Sequence, residues 1–362
     1  MRIFYWVAIV CLLASCDGSD NNQVEGKNTA PQQTYKWKLV TAWPKNYPGL
    51  GTAPENFAKK VEAMSNGRLK IKVFGAGQLV PALQVFDAVS QGTAQIGHSG
   101  AYYWTGKNKA AAFFTSIPFG LNAQEMNAWL HYGGGLALWR ELYAPFNLVP
   151  FAGGNTGVQM AGWFNREINS MADLKGLKMR IPGLGGDVIT RAGGESVNIP
   201  GGELYTAMQT GVIDATEWVG PYNDLAFGFH QVAKYYYYPG WHEPGPTFEF
   251  IVNKQALEAL PADLQAIIEA AARAVNQDML DEYTVRNNQA LEQLVNEHGV
   301  EVRKLPDEVI QGLRELSAEV IADLTKDNEF AQRVAGSIQA FKQQAATYHG
   351  ISEEAYYKAR QQ

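Results

Sequence analysis

The sequence predicts an α/β fold of two lobes with a cleft between them, and three patterns carry that expectation. Strand-like and helix-like segments alternate with short links between Tyr35 and Ser99, and a second alternating region begins near Leu148. From Pro261 an apolar stripe with helical spacing runs farther than a single lobe would need.

Before the first strand, Arg2 is followed by "IFYWVAIVCLLASC", which is shorter than a bilayer-spanning helix and has the charge order of a signal peptide. Its last four residues, Leu13-Ala14-Ser15-Cys16, resemble a lipobox, in which the cysteine is acylated and becomes the mature N-terminus; the alternative is an ordinary signal peptide with a chance cysteine. On the lipobox reading residues 1–16 are the signal segment, Cys16 carries the lipid, and residues 17–34 are a polar, disordered tether. Asp17 resembles the signal that keeps lipoproteins of Gram-negative bacteria on the inner membrane. The other cysteine, Cys11, lies inside the signal segment, so the mature chain has no disulfide, no cysteine metal site and no thiol nucleophile.

In the first lobe, "YKWKLVT" alternates as a strand, Pro54 to Ser65 has helical spacing, and "LKIKVF" is a second strand. Pro81 to Gln91 reads as a helix and "AQIGHS" as a third strand, an order that predicts a parallel sheet covered by helices. In the second region "LVPFAGG", "GVQMAGWF" and "LKGLKMRIP" read as strands, Leu204 to Thr210 as a helix and "VIDAT" as a short strand. Leu264, Ile267, Ile268, Ala271 and Val275 then open a helix that would measure roughly 50 Å and brace both lobes. Two amphipathic helices follow, Asp307 to about Leu324 and Asn328 to about Ala346, either closing the monomer or packing on a second copy. The expected division is lobe one over residues 35–150 with about 246–260, lobe two over 151–245, the long helix over 261–298, and C-terminal helices over 299–362.

Several chemistries are excluded. A net charge of −6 without a basic cluster argues against nucleic acid. "GHSGA" is not a nucleophile elbow, "GLGGDV" lacks the last glycine of a dinucleotide fingerprint, and the six histidines show no zinc spacing.

Candidate binding residues collect at strand ends. Arg180, at the end of "LKGLKMR", stands where ligands bind in open α/β sheets and can grip a carboxylate with two hydrogen bonds; the plainer reading is a surface ion pair. Asn155 and Gln159 alternate along "GNTGVQM" on one face of an expected strand, as amides for an oxygen-rich ligand or hard cation, or as ordinary polar positions. Glu217 and Trp218 follow "VIDAT" and offer a carboxylate, a main-chain carbonyl and an indole. A hard cation such as Na⁺ or Ca²⁺ takes such oxygens; a capping glutamate beside a core tryptophan is the alternative.

"TAPENFAKKVEAMSNGRLKIKVFGAGQL", "AGWFNREINSMADLKGLKMRIPG" and "GGELYTAMQTGVIDATEW" together resemble the extracytoplasmic substrate-binding subunit of TRAP transporters, over nearly the whole mature chain. "GAYYWTGK", "NAWLHYGGGL", "GNTGVQM" and "EWVGPYND" resemble the branch of that family that binds 2-oxo acids and lactate. The resemblance implies a two-lobed periplasmic-binding-protein clamshell spanned by a long helix, periplasmic placement, TRAP membrane subunits as partners, and a homodimer through the C-terminal helices. It places the ligand carboxylate on Arg180, with Asn155 and Tyr103 or Tyr102 as further polar contacts. It also implies a cation, Na⁺ or Ca²⁺, held by Gln159, Glu217, the Trp218 carbonyl and, at or behind the ion, Glu243, with no organic cofactor and no enzymatic turnover. Two other readings remain open on the residues alone: a carboxylate-acting enzyme using His242 or Glu243, and a surface lipoprotein that binds protein partners.

Overall fold

Eleven strands form two mixed sheets in the computed structural model, which describes residues 33–361. The signal segment, Cys16 and the tether up to residue 32 lie outside the described residues. The first sheet has the order β2-β1-β3-β10-β4, from β1 (Tyr35–Thr41), β2 (Leu69–Phe74), β3 (Ile96–Ser99), β4 (Leu148–Asn155) and β10 (Thr247–Asn253). The second has the order β11-β9-β5-β8-β6-β7, from β5 (Gly162–Phe164), β6 (Lys178–Arg180), β7 (Glu195–Val197), β8 (Ala215–Thr216), β9 (Tyr235–Tyr238) and β11 (Glu301–Lys304).

The expected α/β architecture is present, with corrections in how the strands pair. β1, β2 and β3 are parallel as their helical crossovers require, but β10 enters antiparallel between β3 and β4. The chain comes back from the second sheet at that point, and so enters the first from the opposite direction. β4, read from sequence as the opening of the second region, belongs to the first sheet; the crossing follows Asn155. "GVQMAGWF" is a strand only over Gly162–Phe164, and Gly157, at φ +73°, turns the chain before it. Asn155 and Gln159 therefore do not alternate along one strand. The helix expected over Pro81 to Gln91 is a 3₁₀ turn, Ala82–Gln84, running into a short α-helix, Val85–Ser90.

The long helix spans Ala262–Asn296, about 52 Å at the usual rise. Pro261 stands just ahead of it, where its fixed φ suits a helix start. Leu264, Ile268, Ala271 and Val275 are buried along its first half, Met279 and Tyr283 along the middle, and Leu294 near its end. It packs on β4 and on the helix Thr52–Met64 of the first lobe, and on Pro221–Phe227 of the second. Each fully buried Leu, Ile or Val contributes roughly 1.5–3 kcal/mol, so this one stripe ties both lobes to a common spine.

After β11 the helix Asp307–Thr325 packs on the second lobe and Glu329–His349 returns to the first, where Trp129 donates its indole N–H to Ser337 at 3.0 Å. Tyr348, Ile351, Tyr356 and Tyr357 at the end of the tail stay exposed. Between the lobes, Trp218 donates Nε1–H to the Tyr47 hydroxyl at 3.1 Å, and that hydroxyl donates to the Asn223 carbonyl at 2.7 Å.

Candidate carboxylate and cation site

β6 and β8 are parallel neighbours, with Arg180 opposite Thr216 in register. Arg180 therefore leaves β6 beside the point where Glu217 and Trp218 leave β8, at the carboxyl ends where an open α/β sheet binds its ligands. The Glu217 amide donates to the Arg180 carbonyl at 3.1 Å, which fixes the two side chains against each other. Both are 1% exposed. Arg180 Nη1 donates to the Glu217 side chain and to the Glu217 main-chain carbonyl at 3.3 Å, Nη2 donates to the Tyr103 hydroxyl at 3.3 Å, and Nε donates to the Ile199 carbonyl at 3.1 Å. The Trp218 ring lies 5.1 Å from the guanidinium carbon, a cation–π arrangement. A guanidinium stripped of water is tolerable only with such partners.

On its other side Glu217 meets an oxygen-rich corner. His242 Nε2 is 3.3 Å from Glu217 Oε2, and one ligand atom from each of Glu217, His242 and Glu243 lies within 4.8 Å of the others. Gln159 donates Nε2–H to Glu243 Oε2 at 2.8 Å and to Thr156 Oγ1 at 3.3 Å, while its Oε1 is buried without a hydrogen-bond partner among the described residues. His242 Nδ1 is likewise buried and unpaired there. Two main-chain bonds hold the two segments together: Gly240 N–H to the Gln159 carbonyl at 2.9 Å, and Gln159 N–H to the Glu243 carbonyl at 3.2 Å. Burial, reinforced by the charge of Glu217, pushes the Glu243 carboxyl well above the usual carboxylate range. A bound cation would reverse that preference. The residues fit a hard cation: two carboxylates and an orphaned amide oxygen converge in a dry corner, and a buried acceptor left unpaired is costly.

The first lobe closes the site with aromatics that also follow strand ends. Trp43 comes just after β1, and Tyr102 and Tyr103 sit on the 3₁₀ turn Ala101–Trp104 after β3. Both tyrosines reach the site: Tyr103 through Arg180, and Tyr102 by lining, with His242, Glu243, Ser116 and Gly183, a cavity of about 10 Å³. Burial raises both phenols, so they stay neutral donors at physiological pH. Trp43 stands edge-on to Trp218 at 6.1 Å across the lobes, and its Nε1–H is taken by His98 Nδ1 at 2.8 Å.

Asn155 is placed elsewhere in the network. Its Nδ2 donates to the Gly245 carbonyl at 3.1 Å and to Thr247 Oγ1 at 3.3 Å, and its Oδ1 accepts from the Gly157 amide at 2.9 Å. Its polar atoms secure the point where the chain leaves the first sheet, and none of these bonds goes to the Arg180 cluster. His242 enters the cluster without having been singled out as a ligand; its one signal in the sequence was its place beside Glu243 in "WHEPGP".

A buried arginine and an oxygen corner between two α/β lobes on a common helical spine define a solute-binding protein of the clamshell class. The chain belongs to the family described as Bacterial extracellular solute-binding protein, family 7 (DctP), whose profile matches residues 39–328, and thus to the solute receptors of TRAP transporters. It is 45% identical over 347 residues, covering 95% of this chain and 93% of the relative, to a monocarboxylate 2-oxoacid-binding periplasmic protein of Nostoc sp.. A TRAP periplasmic solute binding protein of Pseudoalteromonas atlantica, solved with bound sodium and pyruvate, is 43% identical with a TM-score of 0.88, covering 90% of this chain and 99% of its own. One from Colwellia psychrerythraea, solved with calcium and pyruvate, is also 43% identical at a TM-score of 0.88, covering 90% and 100%. The resemblance to TRAP receptors is borne out. Among the described residues no helix is long and apolar enough to cross a membrane.

Proposed function

We propose that this protein captures a small 2-oxo or 2-hydroxy monocarboxylate of the pyruvate and lactate class, together with Na⁺ or Ca²⁺, and delivers it unchanged to TRAP membrane subunits. The observation that carries the reading is the buried pairing of Arg180 with an oxygen corner made by Glu217, Glu243 and the unpartnered Gln159 Oε1. Arg180 receives the carboxylate. Gln159, Glu217 and the Trp218 carbonyl hold the cation, with Glu243 as a further ligand or support, and the ion supplies positive charge for the ligand's second oxygen. Tyr103 donates its hydroxyl, Tyr102 shapes the wall, and Asn155 acts through the chain crossing. The pyruvate-bound relatives with sodium or calcium support both the ligand class and the ion.

Charge counting refines the ion. With Arg180 positive, Glu217 and Glu243 ionised and a monocarboxylate bound, a divalent cation makes the buried cluster neutral. A monovalent one leaves it at −1, a charge that a proton on Glu243 removes. Neutral clusters are favoured in a dry site.

At the membrane, acylated Cys16 would tether the receptor to the periplasmic face of the inner membrane. The exposed Tyr348, Ile351, Tyr356 and Tyr357 of the tail suit a homodimer contact.

The test is a panel of thermal melts on the chain from Asn21 onward, unfolded and refolded to strip copurified ligand, with pyruvate, lactate, longer 2-oxo acids, acetate and succinate, each in chelator, Na⁺ or Ca²⁺. Ligand at a thousand times its Kd adds about 4 kcal/mol, or roughly 6 °C for a chain of this size. Acetate lacks the 2-oxo or 2-hydroxy oxygen and should bind about 1–3 kcal/mol more weakly. Equal shifts for acetate and pyruvate would sink the cation-bridged reading; product appearing in an NMR time course would sink the claim of no turnover.

A further inference from the structure

We propose that Glu217 is an exchangeable counter-ion for Arg180, held by the arginine until a cation draws it away, so that cation and carboxylate each tighten the binding of the other. This deepens the reading of Arg180 and the oxygen corner given above and rests on it.

The geometry of the guanidinium points to the exchange. Each of its nitrogens is engaged: Nε by the Ile199 carbonyl, Nη2 by the neutral Tyr103 hydroxyl, and Nη1 by Glu217 through both its side chain and its main-chain carbonyl. Trp218 stands against the guanidinium group. A ligand carboxylate seeking a two-point grip needs an edge of that group. Among the described residues the only anionic partner on any edge is Glu217. If Glu217 stayed on Nη1 while a ligand arrived, two carboxylates would share one buried arginine with Glu243 close by, and like charges so placed repel strongly.

The destination of Glu217 lies on its far side. Its second oxygen faces His242 at 3.3 Å, in the cluster with Glu243, and Glu243 in turn accepts from the Gln159 amide whose oxygen is left without a partner among the described residues. Those groups supply lone pairs and no fixed positive charge, so a cation there would pull Glu217 toward the corner and off the Nη1 edge. The same carboxylate then serves as plug and as cation ligand, and the two binding steps are linked through one side chain. Linkage of that kind is reciprocal: the factor by which Ca²⁺ tightens pyruvate is the factor by which pyruvate tightens Ca²⁺.

The cavity beside this cluster, about 10 Å³, is far below the few hundred Å³ of an ordinary small-molecule site. The lobes must part for a ligand to enter.

The decisive experiment measures pyruvate and Ca²⁺ affinities by titration calorimetry on the refolded full mature chain, with and without EGTA. Intrinsic tryptophan fluorescence, to which Trp43 and Trp218 contribute, serves as a second readout. Exchange makes a counter-intuitive demand on Glu217→Gln. Because an amide is no counter-ion, pyruvate in EGTA should bind at least about tenfold more tightly to this variant than to wild type in EGTA, while the Ca²⁺ enhancement disappears. Glu243→Gln, which leaves the plug in place, should weaken Ca²⁺ yet keep pyruvate as weak in EGTA as in wild type. If Glu217→Gln binds pyruvate in EGTA no better than wild type, Glu217 is a fixed cation ligand and the exchange is wrong. Wild-type protein needs no variant to fold: Ca²⁺ and pyruvate affinities independent of each other would also overturn it. Arg180→Ala separates the two levels. Undiminished pyruvate binding by that variant removes the carboxylate assignment itself, whereas its loss together with an unchanged Glu217→Gln removes only the exchange.

Discussion

Arg180→Ala should destabilise the ligand-free protein through the carboxylate it strands. Arg180 and Glu217 are both 1% exposed, and the substitution leaves Glu217 buried beside Glu243 without its guanidinium, with the His242 ring nitrogen at 3.3 Å as its remaining side-chain partner among the described residues. Breaking a buried ion pair from one side costs about 3–5 kcal/mol. For roughly 330 ordered residues, an unfolding entropy near 2.1 cal/mol/K per residue converts this to a fall in Tm of about 4–7 °C. Adding Glu217→Gln removes the stranded charge, so the double variant should recover about half of the loss. Scanning fluorimetry of the four proteins of the cycle, in EGTA and without ligand, gives the coupling directly. Additive losses, with the double variant lower than Arg180→Ala, would refute the claim that the stranded carboxylate dominates.

Other perturbations probe the surroundings. Glu249 is buried and accepts from Ser99, Trp104 and Tyr143, and burial pushes its carboxyl up to about 7 from an ordinary 4.5. The unfolded chain loses this proton first as pH rises, so stability should fall by about 3 kcal/mol between pH 4.5 and 7; Glu249→Gln should flatten that slope in melts across pH, and an unchanged slope would assign it to other groups. Gly240→Ala would drive a Cβ into the Gln159 carbonyl oxygen, so cation-dependent stabilisation should drop sharply in melts while the far-UV spectrum stays folded. Tyr103→Phe removes the hydroxyl on Arg180 Nη2 and should weaken pyruvate about tenfold or less by calorimetry, more than Tyr102→Phe does. Cys16→Ser should abolish incorporation of labelled fatty acid and shift the protein from membrane to soluble periplasmic fractions.

Much of the site was legible because strand ends are legible. "LKMR" runs into Pro182 and Gly183 and "VIDAT" is followed at once by Glu217, so both strand ends can be read, and their parallel pairing brings Arg180 against Glu217, which the sequence could locate only separately. Pairing across distance was hidden. "LVPFAGGN" fits any buried strand, and only its partnership with β10, about a hundred residues later, decides that it completes the first sheet. β11 carried no apolar signal at all, since its four residues "EVRK" are exposed or half-buried and rely on β9 for their order. The alternation of Asn155 with Gln159 misled because Gly157 could serve a strand or a turn, and its left-handed φ makes it a turn. His242 was named from the sequence only as a possible catalytic group, and its place in the cluster was out of reach for a similar reason: a lone histidine beside a glutamate becomes informative only when the fold brings Glu217 to 3.3 Å.

The most direct test of the central claim is an anomalous difference map from crystals grown with pyruvate and Ca²⁺. One calcium peak is expected, touching Gln159 Oε1, the Glu217 carboxylate and the Trp218 carbonyl, with the pyruvate carboxylate on Arg180 and its 2-oxo oxygen on the ion. A calcium peak away from Gln159 and Glu217, or pyruvate bound without contact to Arg180, would contradict it.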